Sequence, residues 1–363
     1  MVAPLSRRRI AAGVAAGAAC AWLAPSCKPV LDQNVSTITE GIVLAVRSEP
    51  AEAAPATGVK YTALYVDGSG PVANPANPAK LQVRWDFCEA RKPLAELGPV
   101  NTKCEETTGD WFVPLGDGLQ VSGAIPADAC KLFGPDVPPA MPGQPQGRPV
   151  DPDTTGGYYD PIRIYAPASA TPVTIAETRL SCGAGVIPAD IGVEYDHRVH
   201  ANTNPAVASL ASVPHTGAPA TLVTSDRGTN PVQAGSHVAL ELAWASCPTA
   251  DVCGDGVCGP DETSTGCMAD CTAPAGCTGA ERYVVFDVGA QALVVSREAM
   301  AAAWYATAGS FDSDRTGRDA TDPSTTSDNG WTAPSVAGAV HMWIVLRDDR
   351  GGVGWAEYVF DVR

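Results

Sequence analysis

Positive charge is scarce in this chain. Only six lysines occur in 363 residues, and lysine plus arginine number 24 against 40 aspartates and glutamates, a net charge of -16. With no basic stripe there is no electrostatic footprint for nucleic acid, and the surface is repelled by anionic lipid headgroups. No apolar run reaches the roughly 20 residues that a membrane-spanning helix requires. Helix-period stretches are few, while 36 glycines and 32 prolines break the chain into short segments. Catalytic signatures are missing as well: there is no G-x-S-x-G elbow, no H-E-x-x-H and no P-loop. The five histidines stand in no arrangement that names a triad.

The N-terminus carries an export pattern. Arg7, Arg8 and Arg9 form a basic n-region, and an Ala/Gly/Val run follows from Ile10 to Ala24, the layout of a signal peptide over residues 1–26. "SRRRIA" also resembles a twin-arginine signal, although a simple basic n-region is the plainer reading. The run closes on "LAPSC", Leu23 to Cys27, which resembles the lipobox of bacterial lipoproteins and implies a lipid on Cys27. Cysteine parity agrees. Cleavage before Cys27 removes Cys20 and leaves Cys88, Cys104, Cys130, Cys182, Cys247, Cys253, Cys258, Cys267, Cys271 and Cys277, an even set with no thiol left over for a nucleophile. Export places these cysteines where disulfides persist, with the pairing unassigned at this stage. Membrane attachment is then expected through the lipid alone, on the outer membrane or cell envelope, facing periplasm or surface.

The length predicts about two domains. "LQVRWDFC" sets Leu81, Val83, Trp85 and Phe87 against Gln82, Arg84 and Asp86, and "HVALELAW" repeats the alternation with Val238, Leu240, Leu242 and Trp244; period two marks half-buried antiparallel strands. The last stretch, "VHMWIVLRDDRGGVGWAEYVFDVR", predicts a hairpin with strands near 340–347 and 353–362. The expected fold class is all-β: two immunoglobulin-like β-sandwich domains, the second interrupted by a disulfide-rich insertion. The expected boundaries are a tether over 27–40, a first sandwich over 41–184 and a linker over 185–204. A second sandwich over 205–363 then carries the cysteine-rich insertion 247–277. Seven prolines make 135–152 a long loop. "PADIGVEYDHRV" reads as helical within the linker, with Ile191, Tyr195 and Val199 four apart.

"AAAWYATAGSF" (301–311), "GWTAP" (330–334), Gly338 and "DDRGG" resemble bacterial immunoglobulin-like or PKD-like sandwich modules. The whole layout resembles uncharacterised exported lipoproteins of myxobacteria-like bacteria. Those likenesses imply a fold and carry no activity.

The candidate sites cluster in "DVCGDGVCGPDETSTGCMADC". Its cysteine spacing resembles a recurring extracellular pattern, C-G-D-G-x-C-x3-E followed by C-x2/3-D-C. A segment this poor in apolar side chains cannot build a core, so cross-links must substitute. Zinc at Cys253, Cys258, Cys267 and Cys271 lacks the paired C-x2-C spacing. Calcium is the sharper alternative, since Asp251, Asp255, Gly256 and Glu262 fall on EF-hand loop positions; Cys253 occupies a place that needs an oxygen. Asp255, Glu262 and Asp270 are the candidate calcium ligands, and no other cofactor is expected. Weaker clusters are Asp312, Asp314 and Asp319, read as an acidic loop, and Glu194, Asp196, His197 and His200, where two histidines would share a helix face. Trp85, Trp244, Trp304 and Trp343 read as core.

These features favour a lipid-anchored envelope protein that acts by binding or structural presentation without catalysis. Its expected partner is a protein or glycan of the envelope or surface, met through sandwich-end loops and the knob. The alternatives are a substrate-binding accessory subunit of an exported hydrolase or adhesion complex, or an unrecognised exported hydrolase.

Overall fold

The computed structural model describes residues 35–71, 82–91, 100–134, 157–166, 173–183, 187–214, 219–224, 230–263, 265–271, 276–287 and 289–363. The signal segment, Cys27, the first part of the tether, Leu81 and the proline-rich loop 135–152 lie outside the described residues.

In the first sandwich the strands are β1 (Ile42–Glu49), β2 (Glu52–Ala53), β3 (Gly58–Asp67), β4 (Gly70–Pro71), β5 (Arg84–Cys88), β6 (Phe112–Asp117), β7 (Gln120–Ala124), β8 (Tyr158–Tyr165) and β9 (Thr174–Leu180). The second contains β10 (Val207–Ser212), β11 (Thr221–Leu222), β12 (Asn230–Val232), β13 (His237–Trp244), β14 (Arg282–Asp287), β15 (Ala292–Arg297) and β16 (Met300–Ala306). It continues with β17 (Ser310–Phe311), β18 (Arg315–Arg318), β19 (Thr326–Thr332), β20 (Gly338–Asp348) and β21 (Val353–Val362). Helices are short: α1 (Ala129–Leu132), α2 (Ala189–Arg198) and α3 (Met268–Cys271). The chain is all-β, as expected.

The two sandwiches repeat one plan. One sheet of each has a central strand flanked by two antiparallel partners, β1-β3-β7 in the first and β10-β13-β19 in the second. The facing sheets run β2-β9-β8-β5-β6 and β12-β21-β20-β16-β18. In both, a short strand that follows the opening strand crosses over and pairs parallel with the last one, β2 with β9 and β12 with β21. That switch between sheets is the immunoglobulin arrangement. Alternate side chains fill each interior. Tyr61, Trp85, Phe87 and Ile162 pack in the first core, and Leu242, Trp304, Trp331, Ile344 and Phe360 in the second.

A third apolar layer joins the two sandwiches. The outer faces of β1 and β3 present Leu44, Ala45, Leu64 and Val66 to Trp343 and Val345 on the outer face of β20, with Tyr305 and Trp355 at the margin. Met342, Ile344 and Leu346 on the same strand point into the second core, so both faces of β20 are buried. Four sheets therefore stack, and the chain from Val35 to Arg363 forms one compact unit. The expectation was two sandwiches joined by a linker over 185–204; the apolar outer faces of β3 and β20 also bring them into contact.

Of the expected tether over 27–40, the part described, from Val35 on, packs against the sandwiches. Ser36 and Ile38 are buried; Thr37 bridges Ala306, and Ile38 N–H donates to the Ala306 carbonyl at 2.9 Å. Ile38 belongs to the apolar layer between the sandwiches, which is why this stretch docks and does not hang free.

Candidate functional site

Everything unusual about the second sandwich lies between β13 and β16. In the first sandwich the equivalent connection, from β3 to β5, runs only from Asp67 to Arg84. Here it holds the cysteine-rich knob and the β14–β15 hairpin. Cys247–Cys277 closes the neck of the knob, while Cys253–Cys267 and Cys258–Cys271 cross its interior. Cys88–Cys104 and Cys130–Cys182 staple the first sandwich. Five disulfides mark a protein of an oxidising, extracytoplasmic compartment. Among the described residues no helix is long and apolar enough to cross a membrane.

The three candidate calcium ligands are engaged separately. Asp270, buried in α3, accepts the Gly254 N–H at 2.6 Å and the Gly256 N–H at 3.1 Å. Both glycines have positive φ, so the loop curls its amides around the carboxylate. Glu262 accepts Gly259 N–H at 2.9 Å, and Asp255 accepts Val257 N–H at 2.9 Å. Each acid thus stands in for the hydrogen bonds a sheet would supply. Two groups of metal-ligating residue types converge among the described residues, His200 with Cys258 and Cys271, and Cys253 with Cys267 and Asp270. Their sulfurs are all in disulfides, which removes the thiolates a metal would bind. Asp270→Ala is expected to destabilise the knob by about 1–3 kcal/mol, the cost of two orphaned amides. Faster hydrogen exchange at Gly254 and Gly256, with the sandwich strands unchanged, would show it.

Behind the neck lies a buried ionic joint. Arg350, in the β20–β21 turn, reaches Glu52 at 3.2 Å, Glu298 at 3.4 Å and Glu281 at 3.7 Å, and donates to the His200 carbonyl at 2.7 Å. Glu52, on β2, also pairs with Arg179 at 2.9 Å and accepts the Asn202 N–H at 3.0 Å. Glu281 accepts Cys277 N–H at 2.6 Å and Thr203 N–H at 3.2 Å, which fastens the neck to the inter-sandwich segment. Asp348 accepts amides of Arg350 and Gly352 and the Asn202 side chain.

Four acids share two arginines here, so burial wins at some of them. Desolvation lifts Glu281 to about 7 and Glu298 well above the ordinary glutamate range, and it raises Asp348. Burial would raise Glu52 too, but Arg179 and Arg350 outweigh it and hold that carboxylate low. Glu281 and Arg350 line a cavity of about 220 Å³ together with His200, Asp251 and Asp255. Because the Glu281 oxygens are taken up by backbone amides, the arrangement works as a joint that fixes the knob to both sandwiches.

A second, larger cleft of about 570 Å³ opens between the hairpin, the β18–β19 connection and the strand that leads from Trp244 into the neck. Among the described residues its charged lining consists of Arg282 and Arg297, with no carboxylate. These two arginines are direct partners across the hairpin, and Val284 pairs with Val295 two residues on. Arg282 meets Asp251 at 2.7 Å, and Arg297 donates to the Ala320 carbonyl at 3.0 Å. On two lining residues, the buried Trp244 indole N–H and the Arg297 Nε–H have no acceptor among the described residues.

The weaker sequence clusters disperse. Asp312 pairs with His237 at 3.0 Å, Asp314 accepts the Ser36 hydroxyl, and Asp319 accepts the Thr321 amide and hydroxyl. Helix α2 ends at Arg198, so His200 leaves the face that carries His197. It turns instead to the Gly259 carbonyl at 3.1 Å, and burial lowers its pKa. Glu194 pairs with Arg198, which also reaches Asp261 of the knob, while Asp196 stands exposed on α2. Trp85, Trp244, Trp304 and Trp343 are all buried, the first three in the sandwich cores and Trp343 in the layer between them.

Sequence reasoning passed over the hairpin and with it Glu281, Arg282, Arg297 and Glu298. The signal was there in "ERYVVFD" and "ALVVSRE", whose end residues mirror one another and pair across the turn.

No protein-family model and no curated protein matches the chain. Solved structures give only loose likenesses. A nucleoside hydrolase-related hypothetical protein from Saccharophagus degradans is 13% identical over 52% of this chain and 35% of its own, with a TM-score of 0.18. Latent PorU from Porphyromonas gingivalis is 12% identical over 90% of this chain and 24% of its own, at 0.19. The Yersinia pseudotuberculosis adhesin InvE is 9% identical over 87% of this chain and 58% of its own, at 0.20. In each comparison the chain spans less than two thirds of the other protein's length, and none of these likenesses carries an argument.

Proposed function

We propose that this is an exported lipoprotein, anchored in the cell envelope through Cys27, that acts by binding a partner at the insertion end of its second sandwich. The observation that carries the reading is the cleft beside the knob. One loop of an immunoglobulin plan has been enlarged, cross-linked by three disulfides and welded to both sandwiches by Arg350 and its acids. Investment of that kind holds a surface in one conformation, which lowers the entropy lost on binding. Recognition through loops on a rigid scaffold follows the same logic. A stacked-tryptophan sugar platform, which the accessory-subunit alternative would use, is not available from Trp85, Trp244, Trp304 or Trp343.

Two measurements test the proposal. Cys27→Ala should move the protein from the detergent-soluble membrane fraction to the soluble one; unchanged membrane retention would rule out the lipid anchor. A pull-down from native envelope with the mature chain should enrich a partner that is lost when the cleft is blocked by Ser324→Trp. Equal recovery with the blocked variant would remove the cleft from the reading.

A further inference from the structure

The chemistry of the cleft narrows what it can hold. In a chain with 40 acids and 24 bases, a concave surface whose described lining holds two arginines and no carboxylate is out of character. Like charges placed directly opposite one another on antiparallel strands destabilise the pair, and the register sets Arg282 against Arg297. Two acids stand beside the pair from outside the described lining. Asp251 engages Arg282 from the knob side, and Asp319, fully exposed, lies near enough to Arg297 to feel its charge. Two further donors on lining residues, Trp244 Nε1–H and Arg297 Nε–H, have no acceptor among the described residues and add positive partial charge. The charged side chains of its described lining are therefore all positive.

The rest of the described lining mixes six hydroxyl-bearing residues with Trp244, Pro248, Pro323 and small apolar residues. Ser246, Thr249, Ser296, Thr321, Ser324 and Thr325 bring hydroxyls, and Val295 is the one large aliphatic side chain, part exposed. Six hydroxyls beside two arginines suit a ligand that is itself hydroxylated and carries a carboxylate. The volume falls within the usual range for small-ligand sites. We propose that this cleft binds a carboxylate-bearing saccharide, with Arg282 and Arg297 receiving the carboxylate and the surrounding serines and threonines receiving the sugar hydroxyls. A guanidinium fork matches a carboxylate in geometry as well as in charge. The inference deepens the binding function proposed above and rests on it.

The test is calorimetric titration of the mature chain with trigalacturonate, against galactotriose as the neutral counterpart and hexaglutamate as an acidic peptide. Trigalacturonate is expected to bind at least about tenfold more tightly than galactotriose, with affinity falling as salt rises. Arg297→Gln should weaken it by about 10- to 100-fold, the range for hydrogen bonds to a charged group. Arg297→Lys, which keeps the charge and loses the fork, should fall between. Ser324→Trp, at the mouth, should abolish binding without touching either arginine; if Arg297→Gln does not fold by near-ultraviolet circular dichroism, this variant decides. The proposal is overturned if galactotriose binds equally well, if hexaglutamate binds more tightly, if trigalacturonate gives no heat, or if folded Arg297→Gln binds within twofold of the parent. Failure with trigalacturonate alongside a cleft-dependent partner from the envelope would discard the saccharide and keep the binding function. Failure of both would discard both.

Discussion

Replacing Arg350 by methionine is expected to cost about 3–5 kcal/mol, the range found when one partner of a buried ion cluster is removed. Its guanidinium is almost fully buried and reaches Glu52, Glu281 and Glu298. Methionine fills much of the space but leaves those carboxylates without their shared counter-charge. The loss should depend on pH, and its sign follows from the shifted acids. A carboxyl that holds its proton more tightly when folded adds stability that is complete below its unfolded pKa and vanishes as pH rises through the folded value. For Glu281 that window runs from 4.5 to about 7. Glu298 and Asp348, raised by burial, act in the same direction. Glu52, held low by its arginines, runs the other way: its contribution is present above 4.5 and is lost on acidification. Between pH 5.5 and pH 8 Glu52 stays ionised, so the raised acids, set against His200 with its lowered pKa, predict a parent protein that melts higher at pH 5.5 than at pH 8. Without Arg350 the acids protonate more readily still, so the deficit of the variant should be larger at pH 8. Denaturant melts of parent and variant at the two pH values check both statements. A deficit that is equal at both would mean that Glu281 and Glu298 do not titrate in the native range.

Trp343→Ala should be comparably severe, about 3–5 kcal/mol for a buried tryptophan. Trp343 does not lie in either sandwich core. It packs against Leu44, Leu64 and Val66 of the first sandwich from the outer face of β20. Its loss should therefore weaken the seam more than the sandwiches themselves. The expected signature is a single unfolding transition that splits in two, the sandwiches melting separately. Trp304→Ala, from inside the second core, should lower stability by a similar amount and act on that sandwich alone. If Trp343→Ala still unfolds in one step at a merely lower denaturant concentration, the seam is not what couples the two halves.

Much of the fold was legible because strands obey a simple period. Alternation in "RWDFC" and "HVALELAW" gave two core strands, and the last hairpin fell at β20 and β21, within a residue or two of its expected ends. The same stretch carried a clue to the seam. "VHMWIVL" is apolar at consecutive positions, and a strand with no polar face is covered on both sides. Alternation reports one buried face and so draws attention away from the second. The knob was legible as a cross-linked insertion, because a run so poor in apolar residues has no other means of support.

The acids of the knob were the harder case. Asp255, Glu262 and Asp270 match the composition of a calcium loop, but whether a carboxylate faces an ion or an amide depends on the path of the backbone. Disulfides set that path by tying Cys253 to Cys267 and Cys258 to Cys271. The histidines fared similarly: spacing put His197 and His200 on one face, and the end of α2 at Arg198 separated them.

By itself, the sequence determined the all-β class, the two sandwiches and the disulfide-bearing insertion, since each follows from local pattern or from counting. Only the tertiary structure decided that the sandwiches share an apolar seam, that Arg350 gathers acids from distant segments, and that Arg282 and Arg297 line one cleft. The reason is range. Periodicity and spacing describe residues that are neighbours along the chain, whereas a seam, a charge cluster and a cleft are made by residues that only folding brings together.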